Sequence, residues 1–196
     1  MFLLDSSGSV GISNYQKQKD FVARFAQAFN IGPNATQIGV VTFATAVKNE
    51  FDMNRYHDNA SLLTAIHNIP YVSGITNTDK AIHYIMNHSF TKPAGDRDHV
   101  PNILIVMTDG QSSNPTLTKA EAAKLHQTNI KSFAIGIGTG ISQTELQLIA
   151  SDHQHVFTVD NFNALSTLNA ELKKTACEGK LFFFSLPDLS LSPFIF

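Results

Sequence analysis

One cysteine, no tryptophan, sparse charge and no long apolar run set the first limits on this chain of 196 residues. With Cys177 alone, no disulfide can close within the chain, and cysteine usage leaves the redox compartment unread. A spanning helix needs about 20 consecutive apolar residues. No uninterrupted apolar run approaches that length, so membrane insertion is not expected. Lys and Arg number 14 against 16 Asp and Glu, for a formal charge of −2. Without a basic stripe to neutralise phosphates, nucleic acid is not an expected partner. The first strand-like run has no basic flank, apolar h-region or cleavage site before it. The start therefore reads either as a fragment boundary or as a protein without a signal.

What is present suits a folded domain. An apolar fraction of 43% with 15% charge in this length can bury one sizeable core, so one domain plus a tail is the simplest count. Tyr15, Phe21, Val22, Phe25, Ala26 and Phe29 predict a helix over 13–30, with Ser13 as its cap. Gln37 to Phe43 is β-branched and apolar on both faces, as a strand covered on both sides should be. Ala46 to Phe51 reads as its antiparallel edge partner. Asn59 to Asn68 predicts a short helix, and Thr78 to Phe90 a stronger one capped by Thr78. Asn102 to Thr108 is the most hydrophobic run and a second buried strand. A helix is expected over 118–128 with Ala120, Ala123 and Leu125 inward, then a strand at Lys131 to Ile137. Ser142-Gln143-Thr144-Glu145 is a capping-box match. Val156 to Val159 and a helix over 162–177 complete the pattern. From Leu181 to Phe196 neither period appears, and a loosely packed or disordered tail from 178 is expected.

Strands alternating with helices imply an α/β fold, doubly wound, with a mainly parallel six-stranded sheet, one antiparallel edge strand and helices on both faces. In such sheets ligands sit outside the carboxyl ends of the strands, where strand order reverses. Phe2-Leu3-Leu4 runs into Asp5-Ser6-Ser7-Gly8-Ser9, which places Asp5, Ser7 and Ser9 at i, i+2 and i+4 on the exit loop. That spacing can aim three oxygens at one hard cation. The same residues equally suit capping of the next helix. Capping does not explain why a second buried strand also ends in a carboxylate, Asp109, with a threonine-rich loop, Thr76-Asn77-Thr78, feeding a helix between them. The convergence favours a metal site.

Taken together, Asp5-Ser6-Ser7-Gly8-Ser9, Gly74-Ile75-Thr76-Asn77-Thr78 and Thr108-Asp109-Gly110 resemble the signature of the von Willebrand factor type A domain, over about residues 1–177. Leu3 to Gly11 and Ala134 to Gly138 look most like collagen-associated and other matrix members. The resemblance implies a metal-ion-dependent adhesion site. In it, Ser7 and Ser9 coordinate directly, Thr76 does so in the ligand-engaged state, and Asp5 and Asp109 act through water or as second-shell acceptors. It also implies Mg²⁺, with Mn²⁺ or Ca²⁺ possible alternatives, and a protein partner whose Asp or Glu completes the coordination, collagen or another matrix protein among them. Neutral hydroxyl ligands leave a divalent charge incompletely compensated and so receptive to an external carboxylate. The loops expected to form the ligand rim carry Gly11, Tyr15, Tyr71, Ile75 and Gln111.

Two departures stand out. Asp79 occupies a position that is often glycine in matrix relatives, where an acid complements the helix dipole, adds negative charge near the cation that weakens an acidic partner, or supplies an auxiliary ion site. The first strand also starts short, at Met1. Gly136-Ile137-Gly138-Thr139-Gly140 lacks the third glycine of a dinucleotide loop. Ser7-Gly8-Ser9-Val10-Gly11 is not a nucleophile elbow. The eight histidines are expected to be solvent-exposed. The expectation is therefore an extracellular, non-catalytic binding domain. The rivals are an intracellular subunit of a multiprotein assembly and a metal-assisted hydrolase.

Overall fold

The computed structural model describes residues 1–178. Six strands, β1 (Phe2–Asp5), β2 (Val40–Phe43), β3 (Val47–Phe51), β4 (Asn102–Thr108), β5 (Ile130–Ile137) and β6 (Val156–Val159), form one sheet in the order β3-β2-β1-β4-β5-β6. All neighbours pair parallel except β2 and β3, so the antiparallel strand lies at the edge, as its looser alternation predicted. The six α-helices are α1 (Gly11–Gln27), α2 (Asn59–His67), α3 (Thr78–Tyr84), α4 (Pro115–Leu125), α5 (Gln143–Ile149) and α6 (Asn169–Glu178). None of the described helices is long and apolar enough to cross a membrane.

Successive residues of a strand point to opposite faces, and β1 shows what that does here. Phe2 and Leu4 join a core with Phe21, Val22 and Phe25 of α1 and Leu62 and Ile66 of α2. Leu3 faces the other core, with Ala81 and Ile82 of α3, Ala122 and Leu125 of α4, and Leu146 of α5. Burial on both faces explains why this strand, like β4, reads as a continuous apolar run. Each fully buried aliphatic side chain contributes about 1.5–3 kcal/mol. Strand order reverses at β1: the chain goes from β1 to β2 on one side and returns to β4 on the other. The carboxyl ends of β1 and β4, which end in Asp5 and Thr108, therefore flank the switch point.

Several helix boundaries differ from expectation. Helix α1 starts at Gly11, with buried Val10 in the cap position and no side-chain cap, so Ser13 lies inside the helix. Thr78 is not the cap of α3 either. Asn77 holds that position, and its amide is spent on the Thr45 carbonyl. The last stretch of the expected helix to Phe90 becomes a π-turn over Ile85–Ser89. Asn114 caps α4 by accepting from the Leu117 N–H, and Pro115 opens it, which moves the start forward. The inward stripe becomes Thr118, Ala122 and Leu125 rather than Ala120, Ala123 and Leu125. Before α6 the chain runs through a 3₁₀ segment, Phe162–Leu168. Strand β2 begins at Val40 rather than Gln37. The expected tail beyond 178 lies outside the described residues.

Candidate metal centre

Asp5 ends β1 fully buried, and its loop is built by its own carboxylate. Oδ1 accepts the Ser7 N–H at 2.8 Å, which closes an Asx turn, while Oδ2 accepts the Thr108 hydroxyl at 2.7 Å. Gln18 of α1, also fully buried, donates to the Asp5 carbonyl at 3.1 Å. Asp5 thus shapes a loop and joins two strand ends; it does not cap α1.

From that turn a chain of oxygens leads outward. The Ser7 and Ser9 hydroxyls lie 3.0 Å apart, and Ser9 Oγ donates to Asp109 Oδ1 at 2.8 Å. Octahedral Mg²⁺ with ligands at about 2.05 Å places neighbouring ligand oxygens ~2.9 Å apart. The spacing and the all-oxygen donor set are both compatible with a hard divalent cation, toward which the hydroxyl lone pairs would turn with their protons kept.

Thr76 reaches the same rim from a second loop. Its N–H donates to Ser113 Oγ at 3.0 Å, and its carbonyl accepts the Ser113 N–H at 2.8 Å, which ties it to the loop after Asp109. Gly8 N–H donates to the Gly74 carbonyl at 2.8 Å, joining the first loop to the second. Ser112, beside Ser113, is gripped by the buried Glu145 carboxylate, which accepts both its N–H (3.0 Å) and its hydroxyl (2.7 Å). The capping box is accordingly half made. Ser142 Oγ accepts from the Glu145 N–H, but the Glu145 side chain turns to Ser112 instead of back to its own helix. A fourth segment closes the rim, because a Cβ on Gly140 would stand 3.0 Å from the Asp109 carbonyl.

The electrostatics point the same way. Burial pushes the Asp5 carboxyl above the usual carboxylate range against the opposing bonds from Ser7 and Thr108, and the Asp109 charge adds to the rise. Burial raises Asp109 too, with the Ser9 hydroxyl opposing. Two carboxylates short of compensating positive charge make a place that a cation relieves.

The structure thus brings Asp5, Ser7, Ser9, Thr76 and Asp109 to one rim. Of the expected ligand-rim residues, Gln111 and Ile75 are exposed and Gly11 opens α1 at the surface with φ +70°. Tyr15 is a correction. At 1% exposure it belongs to the inward stripe of α1, its ring 5.5 Å from that of Tyr71, and offers nothing to a ligand. Tyr71 is half-buried and donates its hydroxyl to the Ser7 carbonyl at 3.0 Å. Thr108, Ser112, Ser113, Glu145 and Gln18 were not singled out as site residues. Thr108 stands in the Thr108-Asp109-Gly110 motif without a role of its own, and the Ser142–Glu145 spacing signals a helix cap.

Asp79 is buried in the first turn of α3, where the helix dipole favours an acid. The histidines are exposed as expected except His155. It is 3% exposed, bonded through Nδ1 to Asp152 and set edge-on to Phe133, because its 3₁₀ turn leads straight into β6.

Comparison with known proteins agrees with this geometry. The chain is 34% identical over 180 residues to the collagen alpha-4(VI) chain of Mus musculus, covering 92% of this chain and 8% of that one. It is 34% identical over 183 residues to Matrilin-2 of Mus musculus, covering 90% of this chain and 19% of that one. The chain therefore spans a small part of these relatives. Among solved structures, proximal thread matrix protein 1 from the mussel byssus, with a zinc-occupied MIDAS motif, superposes with a TM-score of 0.84 at 32% identity. The match covers 90% of this chain and 47% of that one. The von Willebrand factor type A domain profile matches residues 1–171, and the chain belongs to that family.

Proposed function

We propose that this domain is a non-catalytic, divalent-cation-dependent binding module of the extracellular matrix. It engages an Asp or Glu side chain of a protein partner, collagen or another matrix component. The observation that carries the reading is the convergence of the Ser7, Ser9 and Asp109 oxygens from two separate strand ends, in contact at 3.0 and 2.8 Å, separations that neighbouring ligands of an octahedral cation also take. Ser7 and Ser9 would hold the cation through neutral hydroxyls, Thr76 would join when the partner is engaged, and Asp5 and Asp109 would act through water. When bound, the cation supplies Lewis acidity toward one external carboxylate. The chain's contribution is to fix the donors and to leave the divalent charge incompletely compensated.

Mg²⁺ is the proposed resident ion, with Mn²⁺ or Ca²⁺ as substitutes. The zinc-occupied site of the mussel thread protein supports a divalent cation as a class. Similarity to a collagen VI chain and a matrilin supports the matrix location. Nothing on the rim beyond the cation donors offers a poised acid or base, which favours binding over hydrolysis.

The test is replacement of Asp109 by Ala. Asp109 is half-exposed, so the fold should survive, while Mg²⁺-dependent capture of matrix protein is lost. Binding by the wild type that persists in excess chelator would refute the mechanism.

A further inference from the structure

The described residues carry only five large hydrophobic side chains that are well exposed, and they are not scattered. Ile12 (73% exposed), Val72 (58%), Ile75 (55%) and Leu117 (49%) all belong to the loops and helix starts around the cation site; only Val100, before β4, lies at the other end of the sheet. Ile12 is the second residue of α1, and Leu117 sits in the first turn of α4, three residues after the cap Asn114. Isolated exposed aliphatics need no explanation, but four gathered around one site do.

The loop that carries two of them is fixed. Tyr71 is held through its hydroxyl on the Ser7 carbonyl, and Val72 N–H donates to Ser6 Oγ at 3.0 Å. The Gly74 carbonyl accepts from Gly8, Ile75 N–H donates to Thr45 Oγ1 at 3.2 Å, and Thr76 is doubly bonded to Ser113. Between these anchors Ser73 takes φ +66° and Gly74 φ +137°, positive-φ conformations that disfavour a residue with a Cβ. A loop held this firmly presents Val72 and Ile75 outward without the ordering cost that a free loop would incur on binding.

Charge narrows the occupant further. Residues 6–14, 71–76 and 110–117 contain no Lys, Arg, Asp or Glu. Around the cation these segments are thus uncharged, with the four aliphatics standing among neutral Gly, Ser, Asn, Gln and Thr, and within them the charge complement for an acidic partner is the cation.

Resting on the binding-module reading above, we infer that the rim selects one acidic side chain set among apolar neighbours, and that Ile12, Val72, Ile75 and Leu117 form the collar receiving those neighbours. A polyacidic segment gains nothing from this surface, since its further carboxylates find no base.

The test uses the full chain and three short labelled peptides, each with one central Glu, flanked by Leu and Phe, by Ser and Gly, or by further Glu. Binding is read by fluorescence anisotropy in Mg²⁺ and in chelator. The apolar-flanked peptide should bind about tenfold or more tighter than the Ser-flanked one, since burial of one or two aliphatic side chains supplies that factor. The double variant Val72→Ser with Ile75→Ser should erase most of that preference. It should leave Mn²⁺ affinity by calorimetry unchanged, which shows the cation site intact. Equal affinity for all flanks, tightest binding of the polyacidic peptide, or a preference that survives the double variant each overturn the collar while leaving the adhesion reading standing. Peptide binding that is absent, or indifferent to chelator, overturns both.

Discussion

Replacing Asp5 by Asn separates a metal-site carboxylate from a structural one. Asp5 is fully buried and accepts two hydrogen bonds, from the Ser7 N–H and the Thr108 hydroxyl. Hydrogen bonds to a charged acceptor contribute about 1.5–3 kcal/mol each. Against them stands the cost of burying a carboxylate without a cation, several kcal/mol per ion. The upward shift of its pKa shows that burial wins. Asn has the same shape, keeps a carbonyl for Ser7 and turns an amide toward Thr108. The Thr108 hydroxyl can then give its proton to the Gly110 carbonyl, already 3.2 Å away. In chelator at pH 7, Asp5→Asn should therefore change stability by less than about 1.5 kcal/mol, in the direction of a gain, because a desolvated charge is removed while its contacts survive. Its response to Mg²⁺ should disappear. Wild-type protein at a hundred times the dissociation constant gains about 2.7 kcal/mol. That gain is a rise of about 5–10 °C in Tm for a domain of this size. Urea unfolding with and without chelator reads both quantities. A variant more than about 2 kcal/mol weaker in chelator that still responds to Mg²⁺ would show Asp5 to be a turn former, and the reasoning would fail.

Three further outcomes follow from the same geometry. In chelator, Asp5 and Asp109 hold their protons more tightly folded than unfolded. Their contribution is therefore full below about pH 4 and is lost as pH rises through their raised folded values. Asp58, Asp98, Glu121 and Asp152 are shifted downward and contribute the opposite slope, so the test is the difference from an Asp5→Asn, Asp109→Asn double variant: in chelator, wild-type unfolding free energy relative to that variant should fall as pH rises, and a relative rise would contradict the assignment. Glu145→Gln keeps one of the two bonds to Ser112 and should cost about 1–2 kcal/mol of stability. Mn²⁺ affinity by calorimetry should also weaken several-fold, because Ser112 anchors the loop whose next residue, Ser113, is doubly bonded to Thr76; unchanged affinity would confine Glu145 to a packing role. Gly39→Ala puts a Cβ 2.9 Å from both the Met53 nitrogen and the Phe51 carbonyl oxygen, where backbone cannot yield cheaply. A loss of about 2 kcal/mol or more is expected by denaturant titration, and a neutral result would mean that the segment entering β2 packs more loosely on the end of β3 than it stands.

Much was legible from the chain alone, for local reasons. Phe2-Leu3-Leu4 and Asn102 to Thr108 announced strands buried on both faces because apolar side chains without alternation have no solvent side to show. The looser 46–51 segment announced the edge for the opposite reason. Asp5, Ser7, Ser9, Thr76 and Asp109 stood out because each site segment keeps its donors within a few residues, so residue type and short spacing carry the chemistry.

Tertiary structure decided whatever depends on partners far away in the chain. Tyr15 has the pattern of a helix residue near the rim, but only packing against Tyr71 shows that it is buried. Glu145 spells a helix cap to a local reading, yet its carboxylate goes to Ser112, thirty-three positions earlier, where two buried donors outbid its own helix end. Ile12, Val72, Ile75 and Leu117 are ordinary aliphatics in sequence. They become a collar only because the switch point of the sheet gathers three separate segments around one cation site, and proximity across such separations is a property of the fold that no local pattern encodes.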